Sequence, residues 1–187
     1  MPSQTNYSGG GNNSNSNSSR RSQKTRLLAI GAMFACLALI FSYIEAIIPF
    51  NAGIPGVKLG IANLVVIIAL YNMGPKYAFT INCIRILVAG LLFNGAFGAI
   101  YSLAGGILSF LVMWALKKTN LFSMAGVSMA GGVAHNMGQL LVASAIVSNL
   151  KMFLYFPVLM FSGLASGIMI GVVACVINDR VPKQLFR

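Results

Sequence analysis

The chain has 187 residues, of which 57% are hydrophobic and only 8% charged, with a mean hydropathy of +0.81. A soluble domain carries about 25% charged residues, so a water-facing surface is excluded over most of the chain and lipid is the expected solvent. The net charge of +11 does not point to nucleic acid, because Lys and Arg sit between apolar stretches and at the two ends, with no basic face interleaved with aromatics.

Residues 1–19 are Ser, Asn and Gly with almost no apolar content, a composition that cannot bury surface. Arg20, Arg21, Lys24 and Arg26 follow as a basic collar, so residues 1–26 are expected to be a disordered polar tail. A signal peptide is not expected, since the next apolar run is too long and no small-residue cleavage site is evident. Residues 27–178 are expected to form the membrane domain, an all-α bundle of six spans. Span 1 covers about 27–48 and is closed by Pro49, and span 2 about 57–72, after a loop with Pro55 and Gly56. Gly74-Pro75 breaks the chain before span 3, about 76–93, and Asn94-Gly95 is a turn signal. Span 4 covers about 97–116, span 5 about 121–148 and span 6 about 153–177, before a basic C-terminal tail at 179–187. Cys36, Cys83 and Cys175 lie inside apolar runs and make no CxxC pair, which predicts buried thiols and no zinc site or disulfide.

Lys and Arg placement sets the expected orientation. With the N-terminus inside, the inner set is Arg20, Arg21, Lys24, Arg26, Lys76, Lys117, Lys118, Arg180, Lys183 and Arg187, and the outer set only Lys58 and Lys151. Both termini are then cytoplasmic and the number of spans is even.

An ionisable group at bilayer depth costs a few kcal/mol or more, which makes it a functional candidate. Glu45 is near the outer end of span 1, Lys58 opens span 2, Arg85 is mid-way along span 3, and His135 is mid-way along span 5. Asn63, Asn82, Asn94, Asn136 and Gln139 are polar neighbours, with Gln139 four residues after His135 on the same helical face. By depth, these groups are expected to line one cavity open to the outside. Lys58 and Arg85 against Glu45 make it net positive, so the expected ligand is a small anionic or partly anionic molecule held in part by the Arg85 fork. The bland alternative for each is structural: Arg85 paired with Glu45 or with helix-end carbonyls, an interfacial and solvated Glu45, a snorkelling Lys58, and His135, Asn136 and Gln139 as interhelical polar contacts.

Small residues recur on span 1 at Gly31, Ala35, Ala38 and Ser42, with Ala32 and Cys36 beside them. Such a face packs inside a bundle or docks a membrane partner. Gly163, Gly167 and Gly171 on span 6 are expected to allow tight packing within the bundle.

No GxxxxGK[ST] loop occurs, so nucleotide hydrolysis by that route is excluded. Glu45 and Asp179 are the two acidic residues and belong to opposite ends of the bundle, which argues against a carboxylate-held metal site. No catalytic residue, metal or cofactor is expected, and a cavity without an engine implies a partner that supplies one.

The run Pro55-Gly56-Val57-Lys58-Leu59-Gly60-Ile61-Ala62-Asn63 resembles the signature of the heptaprenyl diphosphate synthase component I family, also called the Gx transporter family. Gly74-Pro75-Lys76, the stretch from Arg85 to Asn94, Tyr101 to Gly106, and Ala134-His135-Asn136-Met137-Gly138-Gln139-Leu140 match as well, covering about residues 27–175. That family is similar to the six-helix substrate-binding (S) components of energy-coupling factor importers. The resemblance implies a substrate-binding subunit of the bacterial cytoplasmic membrane, with the ligand contacted by Glu45, Lys58, Asn63, Arg85, Asn94, His135, Asn136 and Gln139. It also implies docking of a transmembrane subunit with two ATPases through Gly31, Ala32, Ala35 and Ala38, although this row is not the literal AxxxA of such components. The alternative is a non-catalytic accessory subunit of a prenyl diphosphate synthase linked to quinone synthesis, since chain elongation uses Asp-rich motifs and this chain has a single Asp.

Overall fold

A computed structural model of the protein describes residues 12–47, 60–182 and 186, with the side chains of residues 12–20 and of Asn94 outside the description. Among the described residues the regular structure is helical throughout: α1 Asn12–Ile47, α2 Ile61–Asn72, α3 Pro75–Ala89, α4 Gly95–Thr119, α5 Met124–Val147 and α6 Phe156–Arg180. A π-helical turn, Gly90–Asn94, joins α3 to α4, and a 3-10 turn, Leu150–Tyr155, leads into α6. The chain is a helical membrane bundle.

Local chemistry explains the breaks. Gly74, at φ 91, and Pro75 at the first position start α3. Gly95, at φ 68, makes the turn expected at Asn94-Gly95. Ser123 caps α5 by accepting from the Gly126 N–H at 3.2 Å. The first helix begins at Asn12, inside the stretch expected to be a disordered tail. Helix growth is cooperative, so a turn already formed by the apolar segment extends into polar residues.

Five of the six helices are long and apolar enough to cross a membrane. The exception, α2, has 12 residues and rises about 18 Å, short of the roughly 30 Å hydrocarbon layer. The expected span over 57–72 is therefore a half-length helix in its described part, and residues 57–59 lie outside the described residues. It is also the centre of the fold. Val65, Val66, Ile67 and Leu70 are 0–1% exposed, packed against Ala35 and Ala38 of α1, Ala78 and Ile81 of α3, and Ile170 and Ala174 of α6. Large apolar side chains such as Met33, Leu91, Phe97, Leu121 and Phe161 face outward, as lipid as solvent requires.

Glycine brings α5 and α6 into backbone contact. A Cβ on Gly132 would lie 2.3 Å from the Gly163 carbonyl oxygen, and one on Gly171 would lie 2.7 Å from the Ala125 Cα. Without a hydrophobic force between helices in lipid, close packing of this kind holds them together.

Contacts at one end of the bundle fix which helix ends lie together. Lys117 Nζ donates to the Leu70 carbonyl and sits 4.9 Å from the Tyr71 ring centre. Asn72 Nδ2 donates to Asn178 Oδ1 at 2.8 Å, and Phe186 of the C-terminal segment meets Phe34 edge-on at 6.2 Å. The helix ends bearing Lys76, Lys117, Lys118 and Arg180 are therefore on one side of the bundle.

Candidate functional site

A cavity of about 240 Å³ opens in the half of the bundle away from that basic end, lined by residues from all six helices. Its walls follow from the break between α1 and α2. Glu45, in the last turn of α1, is half-buried and its Oε1 accepts from the Gly60 N–H at 2.6 Å. Gly60 has φ 71, and its carbonyl accepts from the Asn63 N–H at 2.8 Å. Glu45 thus satisfies a free N–H where α2 begins, where a helix dipole favours a carboxylate.

Asn63 is held at the start of α2 and its Oδ1 faces α3, where Arg85 Nη2 donates to it at 3.3 Å. The same Nη2 donates to Asn82 Oδ1 at 2.8 Å, and Asn82 Nδ2 donates to the Gly106 carbonyl on α4 at 3.1 Å. Arg85 is 9% exposed and Asn82 2%. Both hydrogen-bond partners of the guanidinium are neutral carboxamides, and its Nε is buried with no hydrogen-bond partner among the described residues. The expected structural alternative, an Arg85–Glu45 ion pair, does not form; both side chains line the cavity separately.

On the far wall, His135 lines the cavity and Asn136 Nδ2 donates to the Leu159 carbonyl at 2.7 Å. Ser42, Ser102, Ser128 and Ser166 complete the polar lining. Ser42 and Ser166 donate to the carbonyls of Ala38 and Gly163, at 2.9 and 3.3 Å. Their oxygens therefore present acceptor lone pairs to the cavity.

Of the expected ligand contacts, Glu45, Asn63, Arg85, His135 and Asn136 come together here. Gln139 does not line the cavity. It lies one turn beyond His135, 2% exposed, in the α4–α5 contact beside Gly105, where glycine lets the helices close around it. Lys58 lies outside the described residues, as does the side chain of Asn94. From the sequence, Asn82 stands out only as a polar neighbour and Ser42 only as part of the small-residue row, while Ser102, Ser128 and Ser166 do not stand out, because a serine in a membrane helix commonly bonds back to its own helix and carries little signal.

The expected docking row divides. Ala35 and Ala38 are buried in the chain's own core at 8% and 0% exposed, and Gly31 packs near Met73. Only Ala32 of that set remains on the exposed face of α1, next to Met33 and Cys36; the thiols expected to be buried are exposed at Cys36 and only partly covered at Cys83 and Cys175. Helix periodicity puts the residues 31, 35 and 38 on one face, and α2 and α3 cover that face. Among the described residues, no group of three His, Cys, Asp or Glu side chains is arranged to hold a metal ion.

A family model described as heptaprenyl diphosphate synthase component I matches residues 34–177. No curated protein and no solved structure matches the chain.

Proposed function

Because this chain belongs to the heptaprenyl diphosphate synthase component I family, we propose that it is a non-catalytic, multi-pass membrane subunit that holds a small anionic ligand at Arg85 and works with a partner protein. The observation that carries this reading is the state of Arg85. A buried guanidinium is stabilised by an opposite charge, yet among the described residues its partners are two asparagines and its Nε faces no acceptor. An anion in the adjoining cavity supplies both the charge and the missing hydrogen bond. By the positive-inside rule, the end bearing Lys76, Lys117, Lys118 and Arg180 faces the cytoplasm of a bacterial membrane, and the cavity then lies toward the outside.

Two partners are consistent with this subunit. The family description supports the membrane component of a prenyl diphosphate synthase. The cavity bears on how such a component would bind substrate. Pockets for drug-sized ligands run from about 300 to 1,000 Å³, so one of about 240 Å³ receives a diphosphate head and leaves a seven-isoprene tail in lipid. The cavity in the half of the bundle away from the basic end supports the other partner, an energising importer module, with the chain as its S-like substrate-binding subunit.

Native mass spectrometry of the complex, purified gently from its own membrane, tests both parts. A co-purifying small anion that is lost in Arg85→Gln supports the site, and its retention in that variant overturns it. A bound prenyl synthase subunit or a bound pair of ATPases identifies the partner.

A further inference from the structure

The cavity has two chemically opposite sides. On α3, Arg85 offers donors. On α1, one turn apart, Ser42 offers only acceptor lone pairs and Glu45 offers a carboxylate whose hydrogen bond among the described residues comes from the Gly60 N–H. Glu45 and Arg85 both line the cavity without meeting as an ion pair. A ligand that is only anionic would satisfy Arg85 and bring its charge toward Glu45.

We propose, building on the anion site at Arg85, that the ligand is a small zwitterion, with its anionic group at Arg85 and an ammonium or other N–H donor group at Glu45 and Ser42. One molecule then satisfies both walls, each charge meeting its opposite inside the bundle, where pairing is stronger than in bulk water. The volume of about 240 Å³ limits it to metabolite size. The anionic group is a carboxylate or a phosphate, which an arginine fork accepts equally.

The test uses full-length protein in lipid nanodiscs and two matched probe pairs: phosphate against O-phosphoethanolamine, and propionate against β-alanine. Apparent Kd is read from ligand-induced thermal shifts. Wild type is expected to bind the zwitterion of at least one pair about tenfold more tightly than its anion. Glu45→Gln keeps an acceptor for the Gly60 N–H, so the helix start is retained, and it is expected to reverse that order by weakening the zwitterion and strengthening the anion. Equal or tighter binding of the plain anions by wild type, lost in Arg85→Gln, overturns the zwitterion and leaves the anion site standing. No shift with any probe at tens of millimolar overturns both. Preference for β-alanine or for O-phosphoethanolamine identifies the anionic group.

Discussion

Asn82 lies one helical turn before Arg85 on α3, and its two ends are used in opposite senses: Oδ1 accepts from Arg85 Nη2 at 2.8 Å, and Nδ2 donates to the Gly106 carbonyl on α4 at 3.1 Å. The carboxamide therefore couples the orientation of the guanidinium to the α3–α4 contact. It also supplies no charge, so Arg85 remains a cation with an unmet need.

Asn82→Asp tests that role directly. The substituted side chain keeps the size and the acceptor for Nη2, adds a negative charge beside Arg85 and gives up the Nδ2 donor to the Gly106 carbonyl, so some stability is lost with it. The protein is expected to remain folded but to lose affinity for anions at the cavity, because the guanidinium is neutralised from within. Thermal unfolding and phosphate-induced stabilisation, measured together, check this; an Asn82→Asp protein stabilised by phosphate as well as wild type would count against it. Asn82→Ala is expected to lose about 1–3 kcal/mol of stability, since it leaves Nη2 and the Gly106 carbonyl short of partners.

Gly132→Ala is expected to destabilise the bundle by about 1–3 kcal/mol, because the added Cβ meets the backbone of Gly163 and cannot be accommodated by a side-chain rotation. Gly126→Ala is the control. Its Cβ would find contacts of 3.6–3.8 Å with Ser123 and Phe122, which are ordinary packing distances. Comparing melting temperatures of the two variants in one detergent separates close backbone packing from a general effect of removing glycine.

Lys117→Met removes the donor to the Leu70 carbonyl and the cation over Tyr71 while retaining an apolar stem of similar length. A loss of about 1–2 kcal/mol is expected. The consequence should be local to the end of α2, so amide hydrogen exchange is expected to rise at residues 69–73 before it rises at residues 61–65. Uniform loss of protection along α2 would show that Lys117 acts on the whole bundle.

Orientation is open to chemical labelling. With cysteine introduced at Lys118 or at Asn149 in a cysteine-free background, a membrane-impermeant maleimide is expected to label Asn149→Cys in intact cells and Lys118→Cys only in inverted vesicles. The reverse pattern would place the cavity toward the cytoplasm.

Much of the architecture was legible in the one-dimensional pattern. Apolar runs, Gly-Pro and Asn-Gly breaks and the segregation of Lys and Arg depend on composition over windows of about twenty residues, which is the scale on which a bilayer selects helices. Arg85, Glu45, Asn63, His135 and Asn136 were legible as candidates for the same reason: a polar group costs too much in lipid to be accidental. What α2 is could not be read this way. Its twelve residues, apolar but for Asn63, Asn72 and the Tyr71 hydroxyl, resemble part of a span, and only the packing of α1, α3 and α6 around it makes it a buried half-length core.

The sequence by itself determined that this chain is a membrane-embedded helical bundle with a few expensive polar groups in its interior. Only the tertiary structure decided what those groups do. It turned Gln139 into the α4–α5 contact, covered Ala35 and Ala38 with the chain's own helices, and paired Arg85 with Asn63 and Asn82 instead of Glu45. The physical reason is one of range. A span is set by local hydropathy, whereas a hydrogen bond between Arg85 and a residue 22 positions away depends on helix rotation and on contacts of an ångström or two. Those are fixed by glycine-mediated packing across the whole bundle.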